Sequence, residues 1–518
     1  MDKWIKRLIY LGLMFTIVLV VSGSYMQLVQ MHILPILTWG TIQQAFQSFF
    51  ALYIFLIMVF IFFEHRDPHR MISWLVVLAL VPVVGFVFYI LFGRNIAKKR
   101  RTKRKRISDM DRMEQAASFQ MESVDIIPVF TQTDRPLNRR LVRLLMENAS
   151  APFFIRNQVE VLTNGVETFQ SILEALEEAQ EYIHLQYFII RDDVIGNQVK
   201  NLLIKKAQEG VKVRIIYDSV GCWKLGKKYK EALRHAGIEI HAFFPVAFPI
   251  LSRELNYRNH RKIIVIDGKT GFLGGLNIGD EYLGANKHLG FWRDTHMKIC
   301  GEAVYGLQNS FLDDWKFVSG EALDSEEYFP KVCAEGTTIM QVVSSGPDSE
   351  WKAILQAYFL MISGAQERVW IASPYLVPED SLMTALKASA LSGVDVRIVI
   401  PSKPDHFFVY WASRDNIEEL LEAGVKIYEY EKGFIHSKVI IVDDQCGTVG
   451  TANLDIRSLE INFEANAFLY DQEVIRRLEV DFLQDFEDSR QLQLRTHMER
   501  PRYQRLLESL GRLVSPLQ

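Results

Sequence analysis

The 518-residue chain holds only four cysteines, at positions 222, 300, 333 and 446, and no two of them are spaced as CxxC. That scarcity excludes a disulfide scaffold and a zinc knuckle. It also lacks an excess of either charge: the formal net charge is −3. A global nucleic-acid footprint is therefore absent. Hydrophobic residues make up 49% and charged residues 23%, which excludes collagen-like and largely disordered chains and leaves ample material for two or more packed domains.

The averages conceal segregation. Nearly all long apolar runs lie before residue 94. The runs 46–63 and 71–92 are charge-free and near the 20 residues needed to cross a hydrocarbon layer of roughly 30 Å, with a further candidate run at 8–25. Pro82 and Gly85 are tolerated in such segments. A dense basic cluster follows, from Arg94 to Arg106 without an acidic residue. The positive-inside rule then places the bulk of the chain in the cytosol, with residues 1–93 as a multi-pass region of the cell membrane and 94–135 as a basic linker. Lys3, Lys6 and Arg7 also favour a cytosolic N-terminus, so the fate of the first run stays open between a span, a signal segment and neither.

Beyond residue 135 short β-rich runs alternate with helical stretches, the pattern of an α/β fold, and the pattern repeats. Gly210-Val-Lys-Val-Arg-Ile-Ile216 matches Gly393-Val-Asp-Val-Arg-Ile-Val399, and Gly237-Ile-Glu-Ile240 matches Gly424-Val-Lys-Ile427. Matches in the same order indicate a duplicated domain, with halves at 136–325 and 340–482 packed as one unit. Residues 483–518 form a C-terminal amphipathic tail; its Leu506, Leu510, Leu513 and Leu517 stripe suits either a membrane surface or docking onto the domain.

Each half carries one polar motif. The first is His260-Arg-Lys262-Ile-Ile-Val-Ile-Asp267, followed by Gly274-Gly275-Leu-Asn277; the second is His436-Ser-Lys438-Val-Ile-Ile-Val-Asp443, followed by Gly450-Thr451-Ala-Asn453. One HxKxxxxD is weak, but two copies with the same downstream Asn leave little room for chance. On extended backbone His and Lys project to one face, whereas Asp267 and Asp443 fall at an odd offset and are expected to anchor the strand end. Two such faces would supply two imidazoles, two ammoniums and the amides of Asn277 and Asn453 around a phosphodiester. One neutral imidazole can attack phosphorus while a protonated one donates to the leaving oxygen. Asp294, in Trp292-Arg293-Asp294, and Glu464, in Asn462-Phe463-Glu464, are the candidate carboxylates for orienting the rings.

These paired motifs resemble the phospholipase D superfamily. Trp74, Pro82-Val-Val-Gly85, Phe92-Gly93-Arg94 and the terminal Leu513-Val-Ser-Pro-Leu517 are similar to bacterial cardiolipin synthases in particular. The resemblance implies two duplicated phospholipase D-like halves in which two phosphatidylglycerol molecules become cardiolipin and glycerol through a phosphohistidine. It implies no metal and no other cofactor, with His260 as nucleophile and His436 as acid. Membrane phospholipids are the expected partners and nucleic acid is not; oligomeric state is open. The rival readings are a phospholipase D-type hydrolase, another phosphatidyltransferase, a membrane-tethered nuclease and a scaffold with a dead site.

Overall fold

The computed structural model describes residues 111–121, 136–245, 256–332, 336–405 and 407–514, with a few positions between 48 and 78. The chain divides into two compact units, Met1–Phe86 and Val87–Gln518. In the first, the described positions, among them Leu52, Phe55 and Val59, are helical.

The expected spans at 46–63 and 71–92, the run at 8–25 and the basic cluster lie otherwise outside the described residues. Among the described residues no helix is long and apolar enough to cross a membrane, so the expected N-terminal transmembrane helices and multi-pass cell-membrane location are not supported. The longest described helices are too short and too polar to span. Val304–Ser319 and Gln472–Glu487 reach 16 residues, and both carry charged faces, whereas a span needs about 20 apolar residues.

Within the second unit the duplication is explicit. The first half runs β1 (Asn157–Thr163), α1 (Asn164–Glu178), β2 (Tyr182–Tyr187), α2 (Val194–Gln208), β3 (Lys212–Asp218), α3 (Lys227–His235), β4 (Glu239–Phe243), β5 (Ile263–Ile266), β6 (Thr270–Gly274), β7 (Thr295–Gly301) and α4 (Val304–Ser319). The second runs β8 (Met340–Ser345), α5 (Ala353–Gly364), β9 (Arg368–Ala372), α6 (Asp380–Leu391), β10 (Asp395–Pro401), α7 (Ile417–Glu422), β11 (Lys426–Tyr430), β12 (Val439–Val442), β13 (Cys446–Gly450), β14 (Glu464–Leu469) and α8 (Gln472–Glu487).

Strand order is β1-β7-β6-β5-β2-β3-β4 in one sheet and β8-β14-β13-β12-β9-β10-β11 in the other, the same topology twice. The second sheet gains an edge at each side, from Phe153–Phe154 on β8 and Ser489–Gln491 on β11. The repeated glycines have a shared cause. Gly210, Gly237, Gly393 and Gly424 all sit at φ between 82° and 98°, ending a helix in the left-handed region before a β-branched strand begins.

The two sheets share a core. Ile263, Val265, Leu273, Met297 and Ile299 of the first join Val439, Ile441, Val449, Ala465 and Ala467 of the second in one buried cluster. Each sheet covers its other face with its own helices, Phe169 and Ile172 of α1 in the first half and Tyr358 and Ile362 of α5 in the second. A strand buried on both faces reads as a continuous apolar run, which is why Ile263-Ile-Val-Ile266 and Val439-Ile-Ile-Val442 do not alternate. The helix Pro136–Ala149 crosses to the second half, where Asn138 donates to the Gln445 carbonyl at 2.9 Å. In the tail, Gly511 lies against the Trp411–Ala412 backbone, so the helix Arg502–Val514 docks on the domain. The side chains of Leu506, Leu510 and Leu513, and Leu517 itself, lie outside the described residues.

Candidate active site

The motif strands start at Ile263 and Val439, three residues after each histidine. His260 and Lys262 therefore precede the strand, on backbone whose partner is the other half. Asn259 bridges to Phe463, and the His260 N–H donates to the Phe463 carbonyl at 2.9 Å. Likewise Gly433–Ile435 pairs in parallel with Phe291–Arg293, and the His436 N–H donates to the Arg293 carbonyl at 2.7 Å.

Because Phe463 precedes Glu464 and Arg293 precedes Asp294, this exchange of backbone sets each imidazole against the opposite half's carboxylate. His260 Nδ1 lies 2.9 and 3.0 Å from the two Glu464 oxygens, and His436 Nδ1 lies 2.8 Å from Asp294 Oδ2. An ionised carboxylate only accepts, so Nδ1 carries the proton in each ring and Nε2 is left as the basic nitrogen. Phe188 meets the His260 ring edge-on at 5.0 Å, and Trp292 lies 5.1 Å from the His436 ring.

Both lysines are buried and folded back. Lys262 Nζ donates to the His260 carbonyl at 2.7 Å; Lys438 Nζ donates to the His436 carbonyl and lies 2.9 Å from His436 Nδ1. Burial pushes Lys262 well below the usual lysine range, with the Lys438 ammonium adding to the effect against the pull of Glu464. Burial also takes Lys438 down to about 8, against Asp294 and Glu464. Each ammonium thus feels both carboxylates, which ties the two motifs into one electrostatic unit.

The imidazoles depart from the expectation of a pair titrating near 6.5. Burial, reinforced by the ammoniums, lowers both His260 and His436 to about 4 despite their carboxylates. Burial raises Glu464 and Asp294, but the rings and lysines outweigh it and hold both carboxyls below the ordinary range. At neutral pH the free site holds two neutral imidazoles and two carboxylates.

Two copies of the model described as "Cardiolipin synthase, PLD-like domain" match residues 172–315 and 358–486, and "Phospholipase D-nuclease N-terminal" matches 51–94. The chain is 49% identical to a cardiolipin synthase of Geobacillus kaustophilus, over 92% of this chain and 95% of that protein. It is 43% identical to the major cardiolipin synthase ClsA of Bacillus subtilis, over 90% of this chain and 98% of that one. The chain belongs to the cardiolipin synthase family. Among solved structures, Haemophilus influenzae phosphatidylserine synthase is similar in fold, with a TM-score of 0.56 and 17% identity over 73% of this chain and 99% of that chain.

The remaining candidates divide by role in this family member. Asp267 and Asp443 face away from the imidazoles. Each stands just past its strand at a positive φ, 52° and 50°, and accepts from three successive backbone N–H groups: Gln180, Glu181 and Tyr182 at 2.8 Å, and Gln366, Glu367 and Arg368 at 2.9–3.1 Å. The Asn277 amide is engaged within its own half, accepting from the Ile189 N–H and donating to the Tyr282 hydroxyl, each at 3.1 Å. Asn453 is buried, and its Oδ1 has no hydrogen-bond partner among the described residues.

The departure between the two small-residue turns has a steric cause. Thr451 Oγ1 donates to Glu464 Oε2 at 2.5 Å. At Gly275, its counterpart, a Cβ would collide with the Asp294 carboxylate.

Sequence reasoning missed the braces behind these groups. Arg261, between His260 and Lys262, donates to Asp314 at 2.6 Å, and Asp314 also accepts from Gln186 at 2.6 Å and Asn259 at 3.0 Å. Arg293 donates to Asp485 at 2.7 Å. An arginine beside a motif residue is the available signal; its partners lie on α4 and α8 and nothing local points to them. His296 was missed as well.

Proposed function

We infer that this chain transfers a phosphatidyl group between two phosphatidylglycerol molecules, giving cardiolipin and glycerol. The observation that carries this reading is the reciprocal pairing of His260 with Glu464 and His436 with Asp294, in a chain of the cardiolipin synthase family.

His260 Nε2 attacks phosphorus, a P–N bond forms, and the P–O bond to the first glycerol breaks as His436 gives that oxygen a proton. His436 is neutral in the free site, so protonation accompanies binding: the phosphodiester's negative charge favours an imidazolium beside it. A hydroxyl of the second phosphatidylglycerol then passes its proton to His436, its oxygen attacks phosphorus, and the P–N bond breaks to free His260. The ammoniums of Lys262 and Lys438 neutralise the phosphoryl oxygens throughout. Phe188 and Trp292 line the rings with apolar surface, which favours a lipid hydroxyl over water as acceptor.

The test is purified protein in detergent with labelled phosphatidylglycerol. Cardiolipin and glycerol in equal amounts are expected; phosphatidic acid would assign a hydrolase instead, and DNA cleavage without lipid turnover a nuclease. With an activated nitrophenyl diester, His436→Ala should accumulate an acid-labile phosphoenzyme and His260→Ala should not. The reverse would exchange the two roles.

A further inference from the structure

A third imidazole lies beside this site. His296 on β7 is fully buried, and neither ring nitrogen has a hydrogen-bond partner among the described residues. Another fully buried imidazole is not left so: the His184 ring shares a 2.9 Å hydrogen bond with Gln308.

The sheet register explains where His296 sits. It pairs across the strands with Gly274 on one side and Leu162 on the other, and cross-strand partners share a face. Continuing the register of Ile263 with Leu273 brings Lys262 opposite Gly274. Lys262 and His296 thus flank a glycine on one face. A Cβ at Gly274 would lie 2.5 Å from His296 Nδ1, so only glycine lets the ring occupy that space. His296 is also two residues from Asp294, and it feels the charges of both Asp294 and Lys262.

The second half repeats the row with one change. Gly450 donates its N–H to the Lys438 carbonyl at 3.3 Å and pairs with Asn466, the counterpart of His296. The Asn466 amide is shared among Ala452 N–H, Tyr358 Oη and Thr448 Oγ1, at 2.9–3.2 Å. A polar group under the lysine is common to both halves; an unshared one occurs only in the first.

We propose that His296 is a positioning residue for phosphatidyl transfer, its free imidazole nitrogen serving, directly or across one water, as the partner that directs the Lys262 ammonium toward the phosphoryl oxygen. Burial lowers His296 to about 4, so the ring is neutral and keeps an acceptor nitrogen for an ammonium. A position that only packs would favour an apolar residue, as at Leu162 and Met297 on the neighbouring registers, because an unpaired buried polar group costs stability. The inference rests on the proposed lipid reaction.

The experiment compares the full chain with His296→Leu and His296→Asn, the second taking the residue of the other half. Unfolding temperature, kcat and KM are measured for each, with phosphatidylglycerol and with bis(4-nitrophenyl) phosphate. The Leu variant should unfold at the same or a higher temperature yet lose about 30-fold in kcat with KM within twofold, and Asn should recover at least a third of the parent rate. A folded Leu variant with kcat within twofold of the parent, or Leu and Asn variants equally impaired, overturns the proposal. If Leu does not fold, His296→Met replaces it under the same two outcomes. A parent that cleaves the chromogenic diester but makes no cardiolipin ends the lipid reading, and the variant-to-parent ratio on that diester still decides the role of His296.

Discussion

His260 and Glu464 are 204 residues apart in the chain and 2.9 Å apart in the fold, and the mirror relation joins His436 to Asp294 at 2.8 Å. Neither half holds both members of either pair. On the proposed reaction the duplicated domain works only as a closed two-half unit, with each imidazole's orientation and tautomer set by the other half.

Glu464→Gln and Asp294→Asn should each lower kcat by at least about 100-fold with little change in KM, since an amide lets the ring turn or adopt the wrong tautomer. Steady-state kinetics with labelled phosphatidylglycerol check this. Either variant at parent rate would separate that carboxylate from the chemistry.

The Gly275 and Thr451 positions should not be interchangeable. Gly275→Thr forces a side chain into the Asp294 carboxylate and should abolish transfer, whereas Thr451→Gly removes one hydrogen bond to Glu464 and should cost about tenfold in kcat. Equal losses from the two changes would contradict the steric account.

For Asp267 and Asp443 the expected effect is on stability. Replacement by Ala leaves three backbone N–H groups without their acceptor and should cost about 2–4 kcal/mol, read as a lower urea midpoint. Asn tolerates the left-handed backbone and keeps one acceptor oxygen, so Asp267→Asn should recover part of the loss. Specific activity of the protein that remains folded should stay near the parent's.

The pH dependence follows from the buried imidazoles. His260 and His436 sit at about 4 when folded and near 6.5 when unfolded. Between those values the unfolded chain takes up protons that the folded chain refuses, so stability is lost as pH falls through that window. The expected slope is about 1.4 kcal/mol per pH unit for each ring. Urea midpoints at pH 7 and pH 5 should differ less in a His260→Gln/His436→Gln double variant than in the parent. An unchanged difference would show that the rings are not the proton-linked groups.

On the alkaline side one limit is Lys438, brought by burial to about 8. The proposed transfer uses its ammonium, so kcat should fall as pH rises above that value. Lys438→Arg should move the alkaline limb upward while lowering the maximum rate, because a guanidinium stays charged but presents a planar fork where a compact ammonium fits. A limb that does not move would assign the alkaline limit to another group.

The duplication, the two motifs and the class of chemistry were legible in linear order. Left-handed glycines before β-branched strands, and doubly buried strands read as unbroken apolar runs, leave a signature that survives in linear order. The sequence also identified Asp294 and Glu464 as comparable positions, since each stands at a similar place in its half. Which carboxylate meets which ring became visible in the folded chain alone, because that pairing depends on Asn259 and Gly433–Ile435 leaving their own sheets to bond the opposite half. The imidazole pKa values were hidden for the same reason. They are set by burial and by two ammoniums brought together from distant segments, and linear sequence carries no measure of either. His296 was invisible because its meaning lies in a row of residues from three strands, with a glycine holding the space between them.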